Sequence, residues 1–348
     1  MLQHTFKPTA ALLVLLILVV AGCRKDDPAP AFEGPFLPAN FPKPVYDLSQ
    51  NPVTEAGFAL GKKLFYDPIL SRDNTIACGD CHISYAAFTH PDHPVSHGID
   101  DLLGRRNALP IQNMLWRTSF FWDGGVPHLD IVPLNAIQSP VEMDEKPGRI
   151  LEKLRAHPRY PALFKAAFGT EEINTARFLQ ALSQFMAMLV SANSRYDRYV
   201  RKEPGGTLTA EELEGLSLFR QKCASCHATD LFTDQSFRNN GLDKSFTFDQ
   251  GRFEVSALPQ DEGKFAVPSL RNITATAPYM HDGRFKRLEE VLDHYASGVQ
   301  DSPTLDPLLR QPDGKLGIPL NADEKRKIIA FLGTLRDEAF LRDKRFAQ

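Results

Sequence analysis

Apolar residues in this chain recur mostly at intervals of three and four, in short stretches separated by long runs rich in proline, glycine and charge. Glu55 to Tyr66 keeps its apolar residues on one face and reads as a short helix. Phe178, Leu182, Phe185 and Leu189 continue one stripe, which predicts a single long helix over Thr175–Lys202. Thr209 followed by Glu212 forms a capping box that opens a helix running into Cys223. Asn321 and Glu324 open the last helix in the same way, with Ile328, Phe331, Leu332 and Leu335 on its apolar face. No stretch alternates with period two, so the expected fold class is mainly α and loop-rich. Such a chain needs something large and apolar to organise its loops.

The N-terminus has a different pattern. Lys7 precedes an apolar run from Ala10 to Val20, about 11 residues, too short to span a bilayer but suited to the h-region of a secretory signal. Val20-Ala21-Gly22-Cys23 follows and resembles a bacterial lipobox, so residues 1–22 are expected to be removed and Cys23 lipidated. Pro28, Pro30, Pro35, Pro38, Pro42 and Pro44 make 23–45 an extended tether to the membrane. The body of the protein is thus expected in the periplasm or on the cell surface, held by its lipid. The rest of the chain suits two domains of ordinary size, 46–202 and 203–348. A formal net charge of −3 argues against a nucleic-acid partner.

Four of the five cysteines lie in two identical settings, Cys78-Gly79-Asp80-Cys81-His82 and Cys223-Ala224-Ser225-Cys226-His227. Cys-X-X-Cys-His is the attachment signal for c-type haem: two thiols form thioethers and the histidine ligates the iron. A zinc ribbon would place its two pairs about 15–20 residues apart, whereas these are about 140 apart, and no βαβ pattern supports a thioredoxin-like motif. Two covalent haems are the expectation, and an exported chain agrees with it. What fills the remaining axial position of each iron decides between electron carriage and peroxide chemistry. His90, His93, His97, His128, Met143, Met280, His281, His294 and Tyr295 are all candidates on composition alone.

An internal repeat accompanies the motifs. Phe88-Thr89, Arg106-Asn107, Trp122-Asp123-Gly124 and Leu129-Asp130 follow the first; Phe232-Thr233, Arg271-Asn272, His281-Asp282-Gly283 and Leu288-Glu289 follow the second. The shared order predicts two haem domains related by an approximate twofold axis, with Trp122 standing where the other half has His281.

Gly61-Lys62-Lys63-Leu64-Phe65, Phe121-Trp122-Asp123-Gly124, Pro140-Val141-Glu142-Met143, Pro268-Ser269-Leu270-Arg271-Asn272 and Thr276-Ala277-Pro278-Tyr279-Met280-His281-Asp282-Gly283 resemble the bacterial di-haem cytochrome c peroxidase and MauG family. The match runs from about residue 54 to about 335. The resemblance implies a peroxidatic haem on Cys78, Cys81 and His82, and an electron-transfer haem on Cys223, Cys226 and His227. It implies Trp122 as a relay between them, Glu142 as the distal acid, His97 as a labile distal ligand and His281 as a residue beside the second haem. It also implies a calcium site at Asn107, Thr276 and Pro278, and homodimers as a family trait. Tyr295 stands where classical members have a methionine and MauG-like members a tyrosine; its neighbour His294 is the rival ligand. Two departures stand out. Val132 replaces a distal-pocket glutamine, and Gln221 replaces a surface tryptophan that MauG uses in hole transfer.

The leading expectation is therefore a lipid-anchored peroxidase that reduces hydrogen peroxide to water with electrons from a small cytochrome c or cupredoxin. A MauG-like oxidase that modifies residues of a partner protein, and a non-catalytic di-haem electron carrier, are the alternatives.

Overall fold

The computed structural model describes residues 1–2 and 32–348. The apolar run of the signal segment and Cys23 lie outside the described residues, among which no helix is long and apolar enough to cross a membrane. Residues 33–348 gather into one body. In chain order its α-helices are α1 (Glu55–Phe65), α2 (Cys78–Cys81), α3 (Val132–Gln138), α4 (Pro147–Ala156), α5 (Tyr160–Phe168), α6 (Thr175–Ala187), α7 (Arg195–Arg201), α8 (Ala210–Lys222), α9 (Phe253–Ser256), α10 (Leu288–Asp293), α11 (Ala322–Gly333) and α12 (Glu338–Leu341). The little sheet present is one antiparallel pair of two-residue strands, β1 (Phe237–Arg238) and β2 (Phe265–Ala266). Helix-rich architecture with long ordered loops is what the apolar spacing predicts.

One packing unit occurs twice. In the first half α1 lies on α6, and in the second α8 lies on α11. Each contact is closed by a glycine: a Cβ on Gly61 would come within 1.9 Å of the Ala181 carbonyl oxygen, and one on Gly215 within 2.0 Å of the Lys327 carbonyl oxygen. Four residues on, each glycine-bearing helix places a phenylalanine in a trio. Phe65 packs on Phe185 (4.9 Å between centroids) and Phe88 (6.0 Å), and Phe219 packs on Phe331 (5.1 Å) and Phe232 (5.7 Å). Backbone so close to backbone leaves no room for a methyl group. Gly61→Ala and Gly215→Ala are each expected to destabilise the chain by about 1–3 kcal/mol despite alanine's better helix propensity. Urea midpoints at or above the parent's would refute this.

The structure corrects the register of the repeat. Asn113, not Asn107, is the counterpart of Asn272. Both have φ +56° and open a 3₁₀ turn. Asn113 donates its backbone N–H to the Leu189 carbonyl and accepts from the Ser191 N–H; Asn272 does the same with Leu335 and Asp337. Both lie nine residues before the Trp122 and His281 positions, a spacing that Arg106-Asn107 does not share. The second half carries the longer stretch, 40 residues from Phe232 to Asn272 against 25 from Phe88 to Asn113, and this insertion is what disguises it.

The stripe at Phe178, Leu182, Phe185 and Leu189 is buried as expected, but Thr175–Lys202 is two helices, α6 and α7, rather than one. Side chains from elsewhere take the backbone groups a continuous helix would use. Asn113 binds both the N–H and carbonyl of Ser191, Asp337 accepts from the Asn193 N–H, and Ser194 caps α7 through Asp197. Polar residues in an otherwise apolar stripe thus mark the corner.

The end of the proposed tether is also corrected: it is docked rather than free. Phe41 is buried against Trp116 (5.1 Å, edge-on), the Trp116 indole N–H donates to the Pro42 carbonyl (2.7 Å), and the Val45 N–H donates to the Leu115 carbonyl. The cation of Arg271 stacks on the Phe41 ring at 4.3 Å. Burial of this aromatic outweighs the extended preference of the flanking prolines.

Candidate functional site

The first motif forms the single turn α2, with Asp80 accepting from the Ala77 N–H at 2.7 Å. His82 follows, and its Nδ1 lies 2.6 Å from the Phe88 carbonyl oxygen. A carbonyl only accepts, so Nδ1 carries the proton and Nε2 keeps a free lone pair. Phe88, at φ +62°, belongs to the first aromatic trio, so one residue both seals the core and orients the imidazole. The second motif repeats the device, with His227 Nδ1 3.1 Å from the carbonyl of Phe232, at φ +54°. Burial lowers the pKa of both histidines and keeps them in the neutral, ligating form.

Cys78, Cys81, Cys223 and Cys226 form no disulfide. Burial pushes Cys78 and Cys223 up to about 12 and Cys81 up to about 11. Reactive cysteines have the opposite environment. Beside the second motif is a cavity of about 600 Å³ lined by Cys223, Cys226, His227, Met280 and Tyr295, with Thr89, Asn107, Leu109, Pro110 and Trp122 contributed by the first half. Its size, apolar lining and pre-oriented imidazole fit a covalently attached haem.

Around the first motif the residues differ. Glu142 is near enough to Cys78 and Cys81 for its charge to raise both thiol pKa values. Burial raises the carboxyl's own pKa, against a hydrogen bond from the Ser96 hydroxyl at 3.3 Å. The loop behind it is tight: a Cβ on Gly98 would meet the Val141 carbonyl oxygen at 2.2 Å. His97 presents a side chain 37% exposed that pairs with Asp101 (3.4 Å), while its backbone carbonyl faces Cys81 Sγ at 3.4 Å. His90 stacks on His93 (4.2 Å), which contacts His97 edge-on (4.8 Å). His90 Nδ1 is buried without a partner, and burial followed by repulsion from His93 pushes this histidine down to about 4.

Trp122 is 8% exposed, and its indole N–H donates to the Asn107 carbonyl at 2.9 Å. Its loop is held by the Asp123–Arg106 ion pair and by Arg252, which donates to the Asp123 carbonyl. The ring lies 6.5 Å from His281, and His281 stacks face to face on Phe265 at 3.7 Å. Asn107, Thr276 and Pro278 line one cavity, and the Asn107 carboxamide donates to the Pro94 carbonyl at 3.1 Å.

Tyr295 and His294 separate cleanly. Both begin a π-helical segment, His294–Gly298, that continues α10. The wider turn directs Tyr295 into the cavity, whereas His294 Nε2 is 3.1 Å from the Asn240 carbonyl. Burial pushes the Tyr295 phenol up to about 12. Of the two aromatic trios only Phe219 lies outside the reading of the sequence, and the spacing Gly215 to Phe219, the same as Gly61 to Phe65, signals it. Asn240 carried no signal.

Residues 55–205 match the family described as di-haem cytochrome c peroxidase. The chain is 35% identical to the methylamine utilization protein MauG of Methylorubrum extorquens, over 87% of this chain and 85% of that one. It is 32% identical to the cytochrome c551 peroxidase of Nitrosomonas europaea, over 79% and 78%. Among solved structures it resembles a MauG-like protein associated with microbial copper homeostasis, with a TM-score of 0.81 and 34% identity, covering 89% of this chain and 97% of that one. Two Cys-X-X-Cys-His turns with matched histidine geometry, and relatives aligned along nearly the whole body, place this chain in the di-haem cytochrome c peroxidase family.

Proposed function

We propose that this protein reduces hydrogen peroxide to water at the haem of Cys78, Cys81 and His82, with electrons entering through the haem of Cys223, Cys226 and His227. The observation that carries the assignment is Glu142, a carboxyl whose pKa is raised by burial and which faces the first motif. The haem iron supplies the redox chemistry. Cleavage of a peroxide also needs a proton moved from one oxygen to the other, and Glu142 is suited to carry it, with the Ser96 hydroxyl fixing Oε1. His82 and His227 would hold the irons through Nε2, each ring locked by a phenylalanine carbonyl. Trp122 relays electrons between the halves, and His281 borders the second haem beside it.

The expected donor is a small periplasmic cytochrome c or cupredoxin. Domains 46–202 and 203–348, related by an approximate twofold, are supported by the repeated helix pairs and asparagine corners. Asn107 with the carbonyls of Thr276 and Pro278 suits calcium, a hard cation that takes oxygen ligands. A lipid on Cys23 would hold the enzyme at a membrane in the periplasm or on the cell surface, and two copies would form the dimer.

Steady-state oxidation of a reduced small cytochrome by peroxide, after reductive activation, tests the reading; absence of turnover overturns it. Trp122→Phe is expected to slow electron transfer between the haems in stopped-flow experiments while leaving haem content at two. It is also expected to cost about 1–3 kcal/mol, because the buried Asn107 carbonyl loses its donor. Tyr295 in the cavity favours one second reading, a MauG-like oxidation of a partner protein. Two low midpoint potentials in a redox titration would support that reading; one high potential would support the peroxidase.

A further inference from the structure

Tyr295 is not the only donor atom in the cavity beside His227. Met280 lines the same space, and its Sδ accepts a hydrogen bond from Asn240 Nδ2 at 3.5 Å. The same carboxamide lies beside the Tyr295 phenol. An amide nitrogen has two N–H groups, so binding the thioether leaves one of them to serve a neighbouring oxygen. The Asn240 backbone carbonyl meanwhile holds His294 away. One residue thus touches three candidate ligands.

Methionine is often an adaptable filler, and the left-handed backbone of Met280 (φ +75°) is a requirement of its turn, since Phe121 at the equivalent place has φ +69°. The turn does not explain the side chain. The first half uses phenylalanine there, which has no donor atom, whereas the half with the haem-sized cavity uses a thioether tied to the same amide as the phenol.

We propose that Met280 is a second axial donor for the iron of the His227 haem, and that Asn240 holds it in reserve by binding its sulfur while supporting Tyr295. This rests on the two-haem reading above. A phenolate is a hard anionic ligand and favours oxidised iron; a neutral, soft thioether favours reduced iron. The pocket therefore contains both a low-potential and a high-potential ligand set, and the Asn240 amide decides between them.

The test uses the full-length protein matured with haem, with Tyr295→Phe, Tyr295→Phe/Met280→Leu and Asn240→Ala variants, checked for folding by circular dichroism. In Tyr295→Phe the second haem is expected to stay low-spin, to gain a sulfur-to-iron charge-transfer band and to move to a higher midpoint potential. The double variant is expected to lose that band and become high-spin. Asn240→Ala is expected to give a mixture of phenolate- and thioether-ligated signals in electron paramagnetic resonance; a spectrum identical to the parent's overturns the part given to Asn240. High-spin spectra shared by Tyr295→Phe and the double variant, with two haems per chain in the pyridine haemochrome assay, overturn the role of Met280 alone. Fewer than two haems per parent chain overturns the two-haem reading, and this inference with it.

Discussion

Asp197→Ala is expected to lower the stability of the folded chain by about 3–5 kcal/mol, the cost of leaving a buried guanidinium without its counter-charge. Asp197 and Arg271 both have side chains 0% exposed, and two parallel bonds join them, Nη1 to Oδ2 at 2.9 Å and Nη2 to Oδ1 at 2.7 Å. Asp197 lies on α7 and Arg271 just past the cavity-lining loop, so the pair ties the two halves together. Burial alone would raise the Asp197 carboxyl; the hydrogen bonds and charge of Arg271 outweigh it and hold the group below the usual carboxylate range. A carboxyl depressed in the folded state stabilises above its unfolded pKa and loses that contribution as the pH falls through the folded value. The cost of Asp197→Ala should therefore be full at neutral pH and shrink below about pH 4. Urea unfolding at several pH values measures this. A loss that is independent of pH would show that the ion pair is not its source. Replacing both partners with apolar residues of similar size is expected to restore much of the stability.

Glu142→Gln is expected to reduce peroxide turnover by about 10²–10⁴-fold, the usual contribution of a positioned general acid–base group. Gln keeps the shape and the acceptor for Ser96 but cannot carry a proton. Its effect on stability should have the opposite sign. The Glu142 pKa is raised in the folded state by burial, so the ionised form penalises folding once the pH exceeds the ordinary carboxylate range. Removing the charge should raise the melting temperature at neutral pH, and the gain should vanish in acid, where the native carboxyl is already neutral. A variant that is slower and more stable is the signature of a group kept for chemistry at the expense of stability. Unchanged turnover would remove Glu142 from the reaction.

Local signals in the sequence served well where one residue type does one job. The capping boxes at Thr209–Glu212 and Asn321–Glu324 open helices as expected, because their hydrogen bonds close within four residues. The Cys-X-X-Cys-His turns are equally local. The bend at Ser191 was not legible, since the groups that end the helix, Asn113 and Asp337, come from distant segments. The register of the repeat failed for a related reason: Arg106-Asn107 matches Arg271-Asn272 in letters, while Asn113 matches Asn272 in hydrogen bonds.

The wall that Thr89, Pro110 and Trp122 lend to the space beside His227 bears on how such a protein can arise and be taken apart. Cut near residue 203, the later segment would lose these three side chains from the wall of that cavity. The space beside His227 is thus completed only by the earlier segment, and a fragment without it is expected to expose apolar lining to water.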